Sequence, residues 1–243
     1  VISFVCWKWR VAGTARVFSS EHVNLLRAMI ARHYKKSFRL ICITDKSDGL
    51  DAKIEAMKIP EAAHQAAAQI ENPRGARFPN CYSRLWNFSR EAIILGERIC
   101  QIDIDLIILS DLVPLLDRAE DFVGWSDRRF EKNKVAGGIY LLRTGSIPWI
   151  WEEFSPAYSP SRAFRAGFLG SDQGWISYCL ANRSDPKPSI GLWRSAELLK
   201  INWTPPFSTH APPARIVFTN GVKPPWNSAT QRKYPWIKKH LHL

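Results

Sequence analysis

The stretch Cys100-Gln101-Ile102-Asp103-Ile104-Asp105-Leu106-Ile107-Ile108-Leu109-Ser110-Asp111-Leu112 sets two acids, two residues apart, inside an otherwise apolar segment. Its start, Ile99–Ile102, reads as a buried strand. On a strand, residues i and i+2 face the same side, so the spacing predicts both carboxylates pointing into one small volume. Two adjacent buried anions cost on the order of several kcal/mol unless something neutralises them. A divalent cation does this economically. Hard oxygen ligands select Mg²⁺ or Mn²⁺, ions that also hold substrate phosphates. The carboxyl end of a strand in an α/β sheet is also where a nucleotide is expected. The plainer alternative has one acid capping the following turn and the other paired with an arginine.

Outward from this stretch, short apolar runs alternate with helix-like segments. Ile2–Cys6 and Phe38–Thr44 read as strands, the second ending at Asp45. Between them Ser19 or Ser20 caps a helix whose face carries Val23, Leu26 and Ile30. Leu50–Met57 is expected as a short helix. A helix Cys81–Ala92, capped by Asn80, sets Arg84 one turn from Phe88. Phe122–Trp125, Gly138–Leu142 and Ile216–Phe218 are further strands. Pro148 opens a helix through Phe154, and Ser171 caps Asp172–Leu180. Residues 60–80 offer no strong period. Residues 182–213, with six Pro, read as a loop-rich excursion. The alternation predicts an α/β domain with a mostly parallel central sheet.

With 243 residues, 46% hydrophobic and 23% charged, the chain has the composition of a soluble globular protein, not a disordered tail or a fibre. No composition break divides it, so one domain over 1–243 is expected. The net charge of +12 is segregated. Residues 1–40 hold eight Lys and Arg against Glu21 alone, residues 198–243 hold seven and no acid, and the middle is slightly acidic. Such ends suggest an anionic partner: nucleotide phosphates, nucleic acid or an acidic membrane. Solubility charge is the competing reading. Five widely spaced Cys without a C-x-x-C fit a reducing compartment. No apolar run reaches the length of a spanning helix, and VISFVCWKWR has the wrong flanks for a signal peptide. A cytoplasmic location is the expectation.

Four pieces, in order, resemble the nucleotide-sugar glycosyltransferases of the GT-A fold, and most of all family 8, the glycogenin-like and galactosyltransferase-like enzymes with their bacterial relatives. They are CYSRLWNF (81–88), QIDIDLIILSDLVPLL (101–116), AGGIYLLRTGS (136–146) and GSDQGWISYCL (170–180). A fifth, IVFTNGVKPPW (216–226), matches in part. The resemblance implies a Rossmann-like domain that transfers a sugar from a UDP-sugar to a glycan or lipid-linked acceptor. The implied roles are bacterial cell-surface polysaccharide or lipopolysaccharide synthesis. It further implies a donor-nucleotide half at 1–115, a sugar and acceptor half at 116–226, and a basic aromatic tail at 227–243.

Carried over by position, Asp103 and Asp105 would ligate Mn²⁺ or Mg²⁺ bridging the donor diphosphate, with Ile104 between them in the donor site. Arg84 would reach the donor through its guanidinium fork. Asp172 and Gln173 would line the sugar pocket and, with retaining stereochemistry, stabilise an oxocarbenium-like species. Cys6, Trp7 and Lys8 after the first strand and Asp45 after the second would hold uridine and ribose. Gly137, Gly138 and Gly221 would border the donor, and Lys223 would contact its diphosphate. The family's third metal ligand, a His, falls on Phe218, or near Thr219 or Asn220 where bacterial relatives read F-H-G; none of these is His, and Asn220 would supply a carbonyl oxygen in its place. Ala136 stands where the family has Asn. Hence the alternative reading is a catalytically impaired nucleotide-sugar-binding module.

A haloacid-dehalogenase-like D-x-D-x-T nucleophile is disfavoured, because Ile107 holds the Thr position. Nucleic-acid binding is not expected: neither basic end interleaves aromatics as such a motif would. The run Gln231–Leu243 mixes bases with Tyr234, Trp236 and Leu241. It is read either as a peripheral contact with an anionic membrane or as a helix packing Trp236 and Leu241 on the domain.

Overall fold

A computed structural model describes residues 1–9, 18–70, 79–126, 132, 135–183, 187–194, 196–201, 210–219 and 224–241. The central sheet has seven strands: β1 (Ile2–Lys8), β2 (Phe38–Thr44), β3 (Glu55–Lys58), β4 (Arg98–Ile102), β6 (Phe122–Gly124), β7 (Ile139–Arg143) and β8 (Ile190–Leu192). A small second sheet holds β5 (Leu106–Ile108), β9 (Leu198–Lys200) and β10 (Ile216–Phe218). The large sheet runs β3-β2-β1-β4-β7-β6-β8, and only β7 opposes its neighbours. The expected α/β class and mostly parallel sheet are what the chain forms.

Side chains alternate across this sheet with the two-residue period of a strand. Phe4, Cys6, Leu40, Cys42, Cys100 and Ile102 enter one core. Val5, Trp7, Ile41, Ile43 and Ile99 enter the other. The first core is covered by α1 (Ser20–His33), the small sheet and the C-terminal helices α7 (Ser228–Lys233) and α8 (Trp236–Leu241). The second is covered by α2 (Glu61–Ala68), two 3₁₀ helices (Pro79–Phe88 and Arg90–Leu95), α4 (Trp149–Glu152), α5 (Ser159–Arg165) and α6 (Asp172–Asn182). A short α3 (Val113–Leu116) follows β5. In α1, Val23, Leu26, Met29 and Ile30 form the buried face, and the Ser19 amide donates to His22 Nδ1 at 3.0 Å at its start.

Several elements depart from the sequence reading. Leu50–Met57 is not a helix: Glu55–Lys58 pairs in parallel with Ile41–Thr44, so sheet extension outweighs local propensity. Residues 60–80 do contain a helix, α2, whose EAAHQAAA run has high helix propensity. Its alanines are too small to print an apolar period. The expected Cys81–Ala92 helix is two 3₁₀ helices, because Ser89 interrupts it and its Oγ accepts from the Ala92 amide at 3.2 Å. The excursion at 182–213 contributes β8 and β9. In the tail, Trp236, Ile237 and Leu241 are buried, as the packing alternative requires. No helix among the described residues is long and apolar enough to cross a membrane.

Candidate active site

The strand order β3-β2-β1-β4 places a topological switch between β1 and β4, where crevices form outside the carboxyl ends of strands. The carboxyl ends of β2, β1 and β4 lie along one edge. Because β7 is antiparallel, its amino end lies there too, and the Asp103 amide donates to the Gly138 carbonyl at 2.8 Å.

The D-x-D pair is not on a strand. β4 ends at Ile102 and β5 begins at Leu106, so Asp103, Ile104 and Asp105 form the bend between the two sheets. What brings the acids together is that bend, not the strand period. Ile104 is 3% exposed with its side chain in the core, so only its backbone borders the site. Asp105 is buried, and its carbonyl accepts from Thr219 Oγ1 at 2.9 Å, which ties the bend to the end of β10.

Arg84 links the separate pieces. Nη1 donates to Asp103 Oδ1 at 2.7 Å, and Nη2 donates to Asp172 Oδ1 at 3.0 Å. In a 3₁₀ helix residues i and i+3 eclipse, so Arg84 and Asn87 share one edge above the sheet. Asn87 Nδ2 donates to Gln101 Oε1 at 2.8 Å and to Tyr140 Oη at 2.9 Å. A fully enclosed polar layer therefore supports the ion cluster from below. Nothing in the sequence period marked Asn87, Gln101 or Tyr140.

Asp172 and Gln173 open α6 at an end favourable to negative charge. Asp172 is fully buried and takes a further hydrogen bond from Ser171 Oγ at 2.8 Å. Its carboxylate is thus committed to Arg84 and Ser171. Gln173 is half-buried, and its Oε1 accepts from the Gly137 amide at 3.2 Å. The two glycines leave room for all of this. A Cβ on Gly137 would stand 3.1 Å from Arg84 Nη2 and 3.2 Å from Asp172 Oδ1. One on Gly138 would stand 3.0 Å from both Asp103 Oδ2 and the Phe218 ring. Burial, with repulsion from Asp105 and Asp172, pushes the Asp103 carboxyl up to about 6 against the opposing pull of Arg84 and Lys200.

The nucleotide-side residues divide. Lys8 and Asp45 line an open cleft of about 420 Å³ together with Trp9, Phe18, Ser19 and Lys46. Lys8 Nζ donates to the Lys46 carbonyl, fixing the two strand ends to each other. Cys6 and Trp7 do not reach the cleft with their side chains. Cys6 is fully buried, and its hydrogen bond to Cys42 together with burial pushes the thiol up. Trp7 is 5% exposed in the second core. The aromatic that lines the cleft is Trp9, just past the end of β1 and edge-on to Trp7 at 6.1 Å. Asn220, Gly221 and Lys223 lie outside the described residues. Just beyond them, Trp226 stacks on His22 at 3.7 Å and 12°, and so fastens the Pro-Pro-Trp segment to the first turn of α1.

Two carboxylates can hold Mg²⁺ or Mn²⁺ when substrate phosphates and water complete the shell. The described residues offer two carboxylates for such an ion, and one of them, Asp103, is already engaged by Arg84 at 2.7 Å. The Phe218 ring, not an oxygen or nitrogen ligand, lies beside its second oxygen. Among the described residues no group of three His, Cys, Asp or Glu side chains is placed to hold a metal ion.

No protein-family model matches the chain, and no curated protein matches it. Solved structures do. The galactosyltransferase LgtC, in complex with donor and acceptor sugar analogues, superposes with a TM-score of 0.64 at 12% identity, over 98% of this chain and 95% of LgtC. The glycosyltransferase GlyE of Streptococcus pneumoniae TIGR4 gives 0.61 at 10% identity, over 99% of this chain and 61% of GlyE. The bifunctional glycosyltransferase WbbM gives 0.60 at 12% identity, over 99% and 49%. A mostly parallel seven-stranded sheet, covered on both faces and matched to these enzymes along almost its whole length, gives this chain the GT-A glycosyltransferase fold.

Proposed function

We propose that this chain transfers a sugar from a UDP-sugar to a glycan or lipid-linked acceptor, with retention at the anomeric carbon. One observation carries the reading: Arg84 joins the D-x-D bend at the end of β4 to the Asp-Gln pair opening α6, at the switch point of the sheet. An anionic donor group and a reacting sugar would be held by those two pieces. The likeness to LgtC, whose structure contains donor and acceptor sugar analogues, supports the same class of chemistry.

In this reading Trp9, Lys8 and Asp45 take the nucleoside, and Arg84 orients the diphosphate and sugar. Gln173 faces the anomeric centre, and Asp172 acts by positioning Arg84. Residues 1–115 then carry the nucleotide side and 116–226 the sugar side. The tail serves mainly as a packed cover, and Arg232, Lys233, Lys238 and Lys239 are its basic residues left exposed for contact with an anionic membrane. A Mn²⁺ or Mg²⁺ ion on Asp103 and Asp105 is the competing account of how the diphosphate charge is met.

The test is a screen of UDP-sugars for UDP release above a no-enzyme blank, with Gln173→Ala as the control. Release from at least one donor, lost in the variant, is the expected result. UDP binding without turnover of any donor would instead favour a nucleotide-sugar-binding module, the reading that Phe218 and Ala136 motivate.

A further inference from the structure

A second cleft, over the other end of α6, takes no part in the site described above. Trp175, Tyr178, Cys179 and Asn182 stand at i, i+3, i+4 and i+7, one stripe of that helix. Together with Trp149 and Glu153 at the two ends of α4, Arg162 of α5 and Arg183 just past α6, the stripe lines an open cleft of about 290 Å³. Asp172 opens α6 and Asn182 ends it, so the far end of the cleft stands about 15 Å of helix from the candidate active site.

The lining is both aromatic and charged. Arg162 lies 5.3 Å over the Tyr178 ring, and Tyr178 stacks on Trp175 at 5.5 Å and 18°. Arg183 lies 4.9 Å over the Trp149 ring and is ion-paired with Glu153. Trp175 is fixed in turn, its Nε1 donating to the Ile150 carbonyl at 2.8 Å. Guanidinia resting on anchored rings lose less side-chain freedom when they take a ligand.

The polar groups differ in what they still offer. Arg183 already answers Glu153. Arg162 is exposed, and among the described residues its guanidinium makes no hydrogen bond or ion pair. Its fork is open to a carboxylate, which it fits bidentately. Asn182 is exposed too, and its Nδ2 donates to the Tyr178 carbonyl at 2.7 Å, which leaves Oδ1 as an acceptor. The Glu153 carboxylate can also accept, so the ligand must bring hydroxyl donors. A carboxylate for Arg162 and hydroxyls for Asn182 and Glu153 occur together on a sugar acid. A cleft of this size admits a single such ring.

We propose that this cleft is a second carbohydrate site, which takes a hexuronate unit through Arg162. On the glycosyl-transfer reading above, that unit belongs to the acceptor glycan, held along α6 while its reacting end lies at Gln173. This link to the acceptor rests on that reading; the binding itself does not.

Nitrogen-15 indole spectra of the whole chain, titrated with sodium glucuronate and with sodium galacturonate, test it, since Trp149 lines the cleft and Trp149→Phe assigns its signal. Glucose and sodium acetate, titrated separately, are the neutral-ring and bare-carboxylate arms. At least one uronate is expected to shift the Trp149 signal saturably, at a concentration about tenfold below that needed for glucose or acetate. Arg162→Gln is expected to weaken this binding by about tenfold, in a protein whose other indole signals match wild type. If that variant is not folded, the comparison of ligands still decides.

No saturable shift with either uronate overturns the proposal. So does glucose or acetate binding as tightly as the uronate, or a folded Arg162→Gln that binds it like wild type. UDP titrated into the same wild-type sample reports on the nucleotide cleft separately. UDP shifts without uronate shifts overturn the second site and leave the UDP reading standing. Uronate shifts without UDP shifts keep the second site and remove its link to an acceptor.

Discussion

Arg84 and Asp172 meet in the interior of the protein, with Nη2 2.9 Å from Oδ2 and the acid side chain wholly enclosed. The pair fastens the first 3₁₀ helix to α6 across 88 residues of chain. Removing the guanidinium strands a buried carboxylate, and such a loss costs about 3–5 kcal/mol. Arg84→Met is therefore expected to lower unfolding free energy by that amount in urea. Arg84→Met with Asp172→Asn should recover part of it, since the enclosed Asp172 charge is then gone and only the more exposed Asp103 has lost its partner. Equal stabilities of the single and double variants would contradict this view of the pair.

Gly137 and Gly138 form the floor against which this cluster rests. A methyl group on either would press on the side chains of the cluster, at 3.1 Å from Arg84 Nη2 for Gly137 and 3.0 Å from Asp103 Oδ2 and the Phe218 ring for Gly138. Gly138→Ala is expected to weaken UDP binding at least tenfold while costing about 1–3 kcal/mol of stability, the usual range for overpacking. Gly145, where a Cβ would meet nothing within 4 Å but φ is +74°, is the contrast. An alanine there should strain the turn and leave UDP binding unchanged.

How far the site could be read from the chain itself follows from the range of each interaction. The strands Phe38–Thr44 and Ile216–Phe218 are bounded by their own composition, and their limits match the structure. Asp103 and Asp105 stand out because two acids interrupt an apolar run, whereas Arg84, Asp172 and Gln173 are reached only through the resemblance to the glycosyltransferase family. Asn87, Gln101 and Tyr140 escaped notice because their meaning lies in contacts 14 and 53 residues apart. Trp7 and Trp9 are alike as residue types, and β1 running on to Lys8 keeps Trp7 in the core while Trp9, just past its end, lines the cleft.

Gln173 is half-buried where its neighbour Asp172 is wholly enclosed, which separates their expected kinetic signatures. An interaction made chiefly in the transition state lowers kcat without raising KM. Gln173→Ala is expected to reduce kcat by about 10²–10³ with KM changed less than about threefold, the scale seen when one electrostatic stabiliser is removed. Asp172→Asn should instead raise KM for the donor, because Arg84 loses its anchor. A fall in kcat for both, with KM constant, would put Asp172 among the reacting groups.

The raised Asp103 carboxyl, at about 6, has a consequence for stability against pH. Its unfolded value is near 3.9, so between roughly pH 4 and 6 the native protein holds a proton that the unfolded chain releases. Stability from this group is therefore present at low pH and is lost as pH rises through that window. Melting temperatures of wild type and Asp103→Asn, taken from pH 4 to 7, should converge at the acid end. The wild type should fall relative to the variant as pH rises. Parallel curves would show that the carboxyl titrates normally.

The C-terminal tail decides between a packed cover and a membrane contact. Trp236 is 7% exposed and Leu241 1%, and Arg32 Nη1 donates to the His240 carbonyl at 2.8 Å, which locks α8 onto α1. Truncating a buried tryptophan costs about 3–5 kcal/mol. Trp236→Ala is accordingly expected to lower unfolding free energy by that amount. Lys238→Ala with Lys239→Ala should leave stability within about 0.5 kcal/mol, as exposed charges do. Co-sedimentation with vesicles containing anionic lipid then isolates the remaining contribution. The double lysine variant should lose part of whatever binding the wild type shows, with the exposed Arg232 and Lys233 carrying the rest, because the aromatic side chains of the tail are already buried against the domain.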